Sequence, residues 1–371
     1  MKIGIITDSI DYNAQGIGRV IKDFCYHLSE TQFAKDNEIV LIHEKSNNNK
    51  IYTLANINEL IVASYQVPFG REIRKIITLP NKIRRGDYDV IHDLANVGPF
   101  TNKINARAIQ TVYDLTPVLF PTYHPYASVY RSKLGMKLIK NNVDHYITIS
   151  RATANDLISM YKINSNKITT IYPALSPKIT KLIDNQKNSK NPINCDYILF
   201  VGTIEPRKNI SGLLEIFQKI KNKNNSIKLV IVGGLGWKYK NDLVILNYHI
   251  KEGNVVWFQD ASDKKLAQLY NHAKLFIYPT FYEGFGLPVL EAIYAGLPVL
   301  ASNISSLPEI IEDNNLLISL EDGDEFVNKS LEIIGSNSLT NKIVIKLKKR
   351  LKLFSWENNI KQTSEIYQKY A

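Results

Sequence analysis

The sequence predicts an α/β protein built from two doubly wound domains, each with a parallel sheet between helices. Short apolar runs of strand length alternate with amphipathic helical stretches along the chain, a pattern typical of parallel sheets covered on both faces. Three of these runs end in glycine-containing loops that lead into helical patterns. The length of 371 residues fits two or three domains, and an apolar content of 44% is enough for a core in each.

The first domain is predicted over residues 1–183. It begins with a strand, a loop containing Gly16-Ile17-Gly18-Arg19, and a helix whose apolar residues recur at helical spacing from Val20 to Leu28. Further strands are predicted at 39–43, 90–92, 108–113, 145–149 and 168–172. Another helix is predicted by apolar residues at helical spacing, namely Tyr130, Leu134, Leu138 and Ile139.

A linker is predicted at residues 184–194, which are rich in Asn, Lys, Ser and Pro and show no periodicity. The second domain is predicted over 195–354, with strands at 197–203, 228–233, 255–259, 275–279 and 298–301. Amphipathic stretches separate these strands, as expected for a second parallel sheet.

Composition limits the classes of protein to which the chain can belong. Cys25 and Cys195 lie far apart and offer neither metal-ligand spacing nor a disulfide framework, which fits core packing in a reducing compartment. No apolar run approaches the roughly 18 residues of a membrane span, and the N-terminal apolar run is too short for a signal peptide. A cytoplasmic protein is therefore expected.

The formal net charge of +11 favours polyanionic partners such as nucleotide diphosphates, acidic lipid headgroups or nucleic acid. Two basic segments, around residues 71–85 and 342–352, contain much of the excess. Both combine cations with apolar residues, which is typical of a helix with one buried and one solvated face and also fits contact with an anionic membrane. Neither carries the interleaved aromatics expected for base stacking, so no nucleic-acid partner is predicted.

A loop with two glutamates follows the apolar run 275–279. The chain passes through Gly284 and Gly286 and enters a helix at Pro288, a favoured first-turn residue. Backbone N–H groups at such a junction point toward a bound anion. Glu283 and Glu291 could contact one ligand there; alternatively, Glu291 complements the helix N-terminus and Glu283 is solvated.

A cationic loop follows the apolar run 197–200. Residues 201–210 read Val-Gly-Thr-Ile-Glu-Pro-Arg-Lys-Asn-Ile and lead into a helical pattern. Arg207 and Lys208 therefore lie at a strand-to-helix junction, at the same sheet edge as the glutamate loop if the sheet is parallel. Open α/β sheets bind ligands at this edge.

Together, the two loops resemble those of the retaining, nucleotide-sugar-dependent glycosyltransferases of family 4. That family has two glutamates separated by seven residues, as Glu283 and Glu291 are, and a Gly-x-x-x-x-(Arg)-Lys loop after the first strand of its second domain, as at Gly202 to Lys208. The resemblance extends over nearly the whole chain. It implies the GT-B fold, with two Rossmann-like domains facing each other across a cleft. It also implies that the C-terminal helix, here 355–371, crosses back onto the first domain.

The resemblance implies roles for individual residues. Lys208 and Arg207 would stabilise the departing phosphate, and Glu283 would bind a hydroxyl of the transferred sugar, so these three are the predicted catalytic residues. The predicted donor-binding residues are Gly16, Gly18, Gly202, Thr203, Phe285, Gly286, Leu287 and Glu291, with Glu291 on the ribose hydroxyls. The predicted acceptor-side residues are Tyr113, Asp114 and His124.

Some of these positions also fit structural roles. Gly16 and Gly18 suit a tight turn, and His124 suits a loop histidine with a structural hydrogen bond. Relatives often have histidine where this chain has Tyr113, whose hydroxyl could donate a hydrogen bond instead.

A metal site is not predicted. Asp87-Tyr88-Asp89 matches a metal-binding Asp-x-Asp pattern, but acidic residues are common at a strand entry and no third ligand is apparent. The resemblance implies metal-independent transfer, and no other cofactor is predicted.

The resemblance implies retaining transfer of a hexose to a glycan acceptor in cell-surface polysaccharide synthesis. The run 202–209 is similar to that of mannosyltransferases of polysaccharide assembly, so GDP-mannose is favoured over UDP-sugars as the donor. The basic segment 71–85 lies in the acceptor-side domain, which favours a lipid-linked acceptor and peripheral contact with the anionic inner face of the membrane.

Other functions stay open from the residues alone. A glycoside hydrolase would use Glu283 and Glu291 as acid and nucleophile, although that mechanism gives Arg207 and Lys208 no role. A phosphorylase or a nucleotide-sugar epimerase would share the fold, and a phosphorylase would release free sugar phosphate. A catalytically silent binding module is the remaining alternative.

Overall fold

The computed structural model describes residues 1–12, 16–46 and 49–371. The chain forms two compact units. Unit 1 comprises Met1–Leu119, Ala127–Ser176 and Phe354–Ala371, and unit 2 comprises Phe120–Tyr126 and Pro177–Leu353. Each unit is built around one parallel sheet.

The sheet of unit 1 has seven strands in the order β3-β2-β1-β4-β5-β6-β7. They are β1 (Lys2–Ile6), β2 (Glu38–His43), β3 (Ile57–Ile61), β4 (Val90–Asp93), β5 (Arg107–Val112), β6 (His145–Thr148) and β7 (Ile168–Thr170). The edge strand β3 was not predicted. Its residues are polar or only partly buried, so it lacks the apolar run that identified the other strands.

Helices cover both faces of this sheet. Those of the first 161 residues are α1 (Asp8–Asp11), α2 (Ile17–Ser29), α3 (Gln32–Lys35), α4 (Gly70–Ile73), α5 (Leu79–Arg85), α6 (Thr116–Leu119), α7 (Tyr126–Ile139) and α8 (Arg151–Tyr161). A π-helical stretch, Arg74–Thr78, joins α4 to α5. One face of the sheet packs on α2, and the other packs on α5, α7 and α8.

Unit 2 has a six-stranded sheet in the order β10-β9-β8-β11-β12-β13. Its strands are β8 (Tyr197–Val201), β9 (Lys228–Val232), β10 (Val255–Phe258), β11 (Leu275–Tyr278), β12 (Val299–Ser302) and β13 (Leu317–Ile318). Its helices are α9 (Pro177–Asn185), α10 (Ile210–Lys223), α11 (Lys240–Lys251), α12 (Asp263–His272), α13 (Leu287–Ala295), α14 (Leu307–Ile311), α15 (Gly323–Gly335) and α16 (Asn337–Arg350). Only the two-residue strand β13 was not predicted.

The boundary between the units lies earlier than the predicted linker at 184–194. Helix α9 belongs to unit 2, because Ile179 and Ile183 are fully buried there and the Tyr294 hydroxyl donates to Asp184 at 2.7 Å. The unpatterned composition after residue 184 thus marks a connection inside unit 2. Composition shows where a chain is irregular, but not which core the adjoining helix joins.

The chain returns to unit 1 with its last helix, α17 (Trp356–Tyr370). Trp356, Ile360 and Tyr367 are buried in the core beneath α2. The Tyr367 hydroxyl lies 2.7 Å from Nδ1 of His92, and Thr111 Oγ1 lies 2.7 Å from the Nε2 of the same ring. Residues from β4, β5 and α17 therefore meet at one buried histidine.

Helix α7 has apolar residues on two sides. Met136 and Ile139 face the core, whereas the side chains of Tyr130, Leu134 and Leu138 are 70%, 41% and 45% exposed. Three of the four residues that predicted the helix thus lie on its solvent side. Within the described ranges, none of the helices has the length and apolar content needed to cross a bilayer.

We expect unit 1 to lose stability as the pH falls below about 6.5. Burial lowers the pKa of His92 to about 3, whereas a histidine in the unfolded chain titrates near 6.5. Between these values the unfolded state binds a proton that the native state does not. The contribution of His92 to the free energy of unfolding is therefore fully present above about pH 6.5. It falls by up to ~1.4 kcal/mol per pH unit as the pH decreases toward 3. The free energy of unfolding at each pH is measured by urea unfolding, with hydrogen exchange in peptides of β4 and α17 as the readout.

The His92→Asn variant provides the control. Its side-chain oxygen can still accept from the Tyr367 hydroxyl, but it does not titrate. The variant should be less stable near neutral pH and should show a shallower pH dependence. If the free energy of unfolding had the same pH dependence in wild type and in His92→Asn, this role of His92 would be contradicted.

Candidate active site

Two predicted loops meet at one edge of the unit 2 sheet. Strands β8 and β11 are parallel neighbours, so their carboxyl ends lie side by side. The cationic loop follows β8, and the glutamate loop follows β11. Open α/β sheets bind ligands at this edge, and the structure joins Arg207 and Lys208 to Glu283 there.

Asn209 holds the cationic loop against the glutamate loop. Its backbone is left-handed, with φ of 55°, and its side-chain oxygen accepts from the Gly212 N–H at 3.2 Å, which caps α10. Its side-chain amide donates to the Pro279 carbonyl at 2.9 Å. The turn Pro206–Lys208 that precedes it is therefore fixed relative to the end of β11.

Lys208 and Arg207 both pair with the carboxylate of Glu283. The Lys208 Nζ lies 2.7 Å from Glu283 Oε1, and Arg207 Nη1 lies 2.9 Å from Oε2. Lys208 also donates to the Tyr278 hydroxyl at 2.7 Å. Lys208 and Glu283 are only 7% and 6% exposed, so water screens the pair weakly.

A second carboxylate, Glu205, completes the charged cluster. Arg207 Nη2 lies 2.6 Å from Glu205 Oε1, and Glu205 is 1% exposed. Arg207 also donates to the Tyr282 carbonyl at 2.7 Å, while its own carbonyl accepts from the Phe281 N–H at 2.8 Å. With both carboxylates ionised, two cations face two anions, and the cluster carries no formal net charge.

The pKa values of the cluster follow from burial and pairing. Burial lowers the pKa of Lys208, and Glu283 partly opposes that shift. Burial alone would raise the pKa of Glu283, but Arg207 and Lys208 outweigh it, so the net shift is downward. Burial raises the pKa of Glu205 despite its contact with Arg207. Glu283 is therefore the carboxylate held firmly in its charged form.

The start of α13 adds an electropositive backbone beside this cluster. Gly286 has φ of 116°, a conformation that disfavours any side chain, and it precedes Leu287 and Pro288 in the first turn. Ser305 accepts from the Glu283 N–H at 2.9 Å, and Ser306 donates to the carbonyls of Glu283 and Phe285. The loop is thus fixed, with the helix N-terminus near two cations, which suits a diphosphate.

Glu291 has a different environment from Glu283. It lies on α13, is 9% exposed, and accepts a hydrogen bond from the Tyr270 hydroxyl at 2.8 Å. Tyr270 is on α12. The hydroxyl fixes one carboxylate oxygen, so the carboxylate is held in a defined orientation.

Gly202 and Thr203 lie where β8 ends. The Gly202 N–H donates to the Val232 carbonyl at 2.8 Å. A Cβ at Gly233 would lie 2.2 Å from the Gly202 carbonyl oxygen, and one at Gly236 would lie 2.8 Å from the Thr203 methyl group. Glycine is required at Gly233, which has φ of 145° and would meet a backbone atom, whereas a side chain at Gly236 would require Thr203 to move.

The predicted donor-side glycines Gly16 and Gly18 belong to unit 1. Gly16 has φ of 77° and precedes α2, and Gly18 is buried in the first turn of that helix. Residues 13–15 of the same loop lie outside the described residues. The positive φ fits the turn that the sequence offered as the alternative role.

Two predicted acceptor-side residues, Tyr113 and Asp114, also lie in unit 1. Tyr113 is 6% exposed and lines a small internal cavity with His92 and Thr111, and burial raises its pKa. Asp114 accepts from the N–H and the hydroxyl of Thr116, the first residue of α6. The described contacts of Asp114 are thus those of an Asx turn.

The third predicted acceptor-side residue, His124, lies in the short segment that packs within unit 2. It is 5% exposed, and its ring centroid lies 5.1 Å from that of Trp237. The Asp-x-Asp pattern of unit 1 has a structural contact, since Asp89 accepts from the Lys2 N–H at 2.7 Å. Among the described residues, no group of three His, Cys, Asp or Glu side chains could hold a metal ion.

Sequence reasoning missed several residues of this site. Glu205 lay in the same run as Arg207, where a buried carboxylate beside a cation was a usable signal. Tyr278 and Tyr270 gave no signal, because a tyrosine in an apolar run is as typical of a core as of a site. Ser305 and Ser306 lie in a polar loop, where serine is as typical of a turn as of a site.

Two glycosyltransferase family models match the chain. Residues 14–178 match the model of Glycosyltransferase Family 4, and residues 175–350 match that of Glycosyl transferases group 1. The O-antigen chain mannosyltransferase B of Escherichia coli is 27% identical over 99% of both chains.

Solved structures of glycosyltransferases share the fold. Sucrose-phosphate synthase from Thermosynechococcus elongatus has a TM-score of 0.75 at 18% identity, covering 100% of this chain and 98% of its own. HepE from Anabaena, solved with UDP and glucose, has a TM-score of 0.72 at 16% identity, with 99% of each chain covered.

The two Rossmann-like units have the GT-B architecture that the resemblance implied. The chain belongs to the family-4 glycosyltransferases and is a hexosyltransferase.

We expect Glu283 and Lys208 to be energetically coupled. Glu283→Gln leaves two buried cations with one carboxylate, and it should destabilise unit 2 by about 3 kcal/mol. Combining it with Lys208→Met should cost less than the sum of the single changes by about 1–3 kcal/mol. Urea unfolding of the four proteins gives the coupling energy. This coupling energy should vanish as the pH falls through the lowered pKa of Glu283, because the protonated carboxyl no longer attracts Lys208.

An exposed ion pair of the same unit is the matched control. Lys274 lies 3.5 Å from Asp196, and both side chains are about half exposed. Such a pair contributes less than about 1 kcal/mol. Equal coupling energies for the two pairs would contradict a special role for the buried one.

Proposed function

We propose that the protein transfers mannose, with retention of configuration, from GDP-mannose to a lipid-linked glycan in polysaccharide assembly. The observation that carries this proposal is the buried cluster in which Lys208 and Arg207 share the Glu283 carboxylate beside the start of α13. The named mannosyltransferase of O-antigen chains, related over the whole chain, supports the sugar and the pathway class.

In the proposed reaction, the bond between the sugar C1 and the donor phosphate oxygen breaks, and a bond forms between C1 and an acceptor hydroxyl oxygen. The departing nucleoside diphosphate gains negative charge. Lys208, Arg207 and the backbone amides of Gly286 and Leu287 stabilise it electrostatically. The acceptor hydroxyl attacks C1 from the face that the phosphate leaves, so the configuration at C1 is retained. Its proton passes to a phosphate oxygen on that face.

The two glutamates have separate tasks in this mechanism. Glu283, kept ionised by two cations, accepts a hydrogen bond from a hydroxyl of the transferred sugar. Glu291, oriented by Tyr270, accepts from the ribose hydroxyls of the nucleotide. The proposed mechanism includes no metal ion: Lys208, Arg207 and the backbone amides at the start of α13 are the groups that attract the diphosphate.

The pKa of Glu283 disfavours the hydrolase alternative. A glycosidase acid must hold a proton near neutral pH and therefore needs a raised pKa. Lys208 and Arg207 instead lower the pKa of Glu283. Uridine-sugar donors stay the main alternative within the transferase class, since HepE was solved with UDP and glucose.

We expect Lys208→Ala to lower kcat about 10²- to 10³-fold at saturating donor, because one preformed donor to the leaving group is lost from a dry site. GDP release from GDP-mannose, with methyl α-D-mannopyranoside as acceptor, measures the rate. Lys274→Ala, which removes an exposed lysine of the same unit, is the matched control. Near-native turnover in Lys208→Ala would exclude the mechanism.

Nucleotide selectivity is measured separately by thermal shift. A ligand at 100 times its Kd stabilises the native state by about 2.7 kcal/mol. GDP and GDP-mannose should raise the Tm, and UDP and UDP-glucose should raise it less. Glu291→Ala should reduce the shift with all four ligands, because their ribose hydroxyls are the same. No shift with any of the four would exclude the donor site as described.

The lipid-linked acceptor fits an exposed face of unit 1. Helices α5 and α7 pack on the same core cluster. On its outer side, α7 exposes Tyr130, Leu134 and Leu138, which recur every four residues and form the α7 stripe. The exposed cations Arg131, Lys133 and Lys137 flank the stripe. Apolar residues between cations fit the surface of an anionic bilayer.

The basic segment 71–85 contributes less than its composition suggested. Arg74 is 2% exposed and pairs with Asp8 through two hydrogen bonds of 2.7 and 2.9 Å. Lys75 donates to the Val97 carbonyl. These two cations are structural, whereas Ile76 and Ile77 of the same segment are 44% and 55% exposed.

We expect removal of the α7 stripe to weaken membrane binding. Replacing Tyr130, Leu134 and Leu138 with serine should lower the partition constant on phosphatidylglycerol vesicles at least about tenfold, because three apolar groups no longer enter the interface. Vesicle sedimentation measures it. The control is Val244→Ser/Tyr248→Ser, which removes exposed apolar side chains from α11 of unit 2. Equal losses in both variants would contradict docking through α7.

A further inference from the structure

The segment Phe120–Tyr126 leaves unit 1 between α6 and α7 and packs within unit 2. His124 anchors it, with its buried ring against Trp237. The Lys238 ammonium donates to the Thr122 carbonyl and lies 5.5 Å from the Tyr126 ring centroid. The side chains before His124 therefore have defined positions on unit 2.

Four aromatic rings meet where this segment contacts the glutamate loop. The Phe120 and Tyr123 rings are 5.7 Å apart and within 9° of parallel. Phe120 lies 5.5 Å from Tyr282, and Tyr123 lies 6.0 Å from Phe281. Tyr282 is buried, whereas Phe120 and Tyr123 are partly exposed and Phe281 is 37% exposed. The cluster thus presents aromatic surface to solvent.

This aromatic surface adjoins the charged cluster through the backbone. Phe281 precedes Glu283 by two residues, so their Cα atoms are at most roughly 7 Å apart. The Phe281 N–H donates to the Arg207 carbonyl at 2.8 Å, and the Tyr282 carbonyl accepts from the Arg207 side chain at 2.7 Å. Arg207 thus contacts three consecutive residues of the loop, Phe281, Tyr282 and Glu283.

We propose that the rings of Phe120, Tyr123 and Phe281 form a subsite for a hexopyranose unit of the acceptor glycan. A pyranose has a face of C–H groups, which carry partial positive charge because of the neighbouring oxygens, and a rim of hydroxyls. The negative face of an aromatic ring attracts such C–H groups, and the contact removes apolar area from water. The hydroxyl rim stays free to reach polar groups beside Glu283.

This subsite rests on the proposed transferase function and adds a location for its acceptor. It also changes the role of His124. As a buried anchor of the segment, His124 positions the Phe120 and Tyr123 rings and does not itself contact the acceptor. The first half of the chain thereby supplies part of an acceptor site that is built on unit 2.

The test is saturation-transfer NMR with methyl α-D-mannopyranoside as the probe, with irradiation of the protein aromatic protons. Wild type should transfer saturation to the sugar C–H protons. Phe281→Ala should lower the signal and the kcat/KM for this acceptor about tenfold, as expected for loss of a stacked ring. Phe281→Trp should keep both. Unchanged signal and unchanged kcat/KM in Phe281→Ala would overturn the subsite.

Two controls separate this proposal from the donor site and from misfolding. The GDP-induced thermal shift and the KM for GDP-mannose should be the same in Phe281→Ala and wild type, and a loss of both would show that the ring supports the donor loop instead. Tyr248→Ala removes another exposed ring of unit 2 and should have no effect. Because NMR detection of the sugar needs no nucleotide, failure of the donor proposal would leave this test valid.

Discussion

The shared carboxylate of Glu283 is the interaction on which the candidate active site depends. It holds Lys208 and Arg207, and through them it joins the loop after β8 to the loop after β11. Burying these charges is costly, and close pairing is the condition under which the fold tolerates it. The same pairing fixes two cations at the sheet edge, so an anionic ligand that binds there would need little reorganisation of the protein.

Backbone constraints around this cluster serve the same purpose. Asn209 adopts a left-handed conformation that ends one turn, and its side chain caps the next helix. Gly286 has a positive φ immediately before α13. Gly233 lets a neighbouring loop approach the end of β8. Each of these residues brings backbone N–H groups or charged side chains to one place, and none of them could be replaced by a bulky residue without moving the loop.

The sequence was most informative where local chemistry and fold agree. Buried parallel strands need continuous apolar runs, so all strands but the polar edge strand β3 and the very short β13 could be predicted. The two loops were recognisable because glycines, two adjacent cations and two glutamates follow apolar runs of strand length. That the two loops lie at the same sheet edge could be predicted from the parallel topology. The distances between their charged groups, and the participation of Glu205 and Tyr278, could be seen only in the structure.

Other features could not be predicted because they depend on which surface a segment meets. The periodicity of α7 showed a helix, but apolar residues on two sides do not reveal which side is buried. The basic composition of 71–85 gave no sign that Arg74 pairs with Asp8, which lies 66 residues earlier. The segment 120–126 reads as an ordinary loop, although its rings belong to the second unit.

The return of α17 to unit 1 has a consequence for biosynthesis. Trp356, Ile360 and Tyr367 complete a core whose first residues come from β1, so the ribosome must finish all of unit 2 before that core can close. At roughly 5–20 residues per second, this delay is on the order of ten to forty seconds. During that interval the apolar side of α2 lacks its partner, which makes the nascent first unit a natural client for a chaperone.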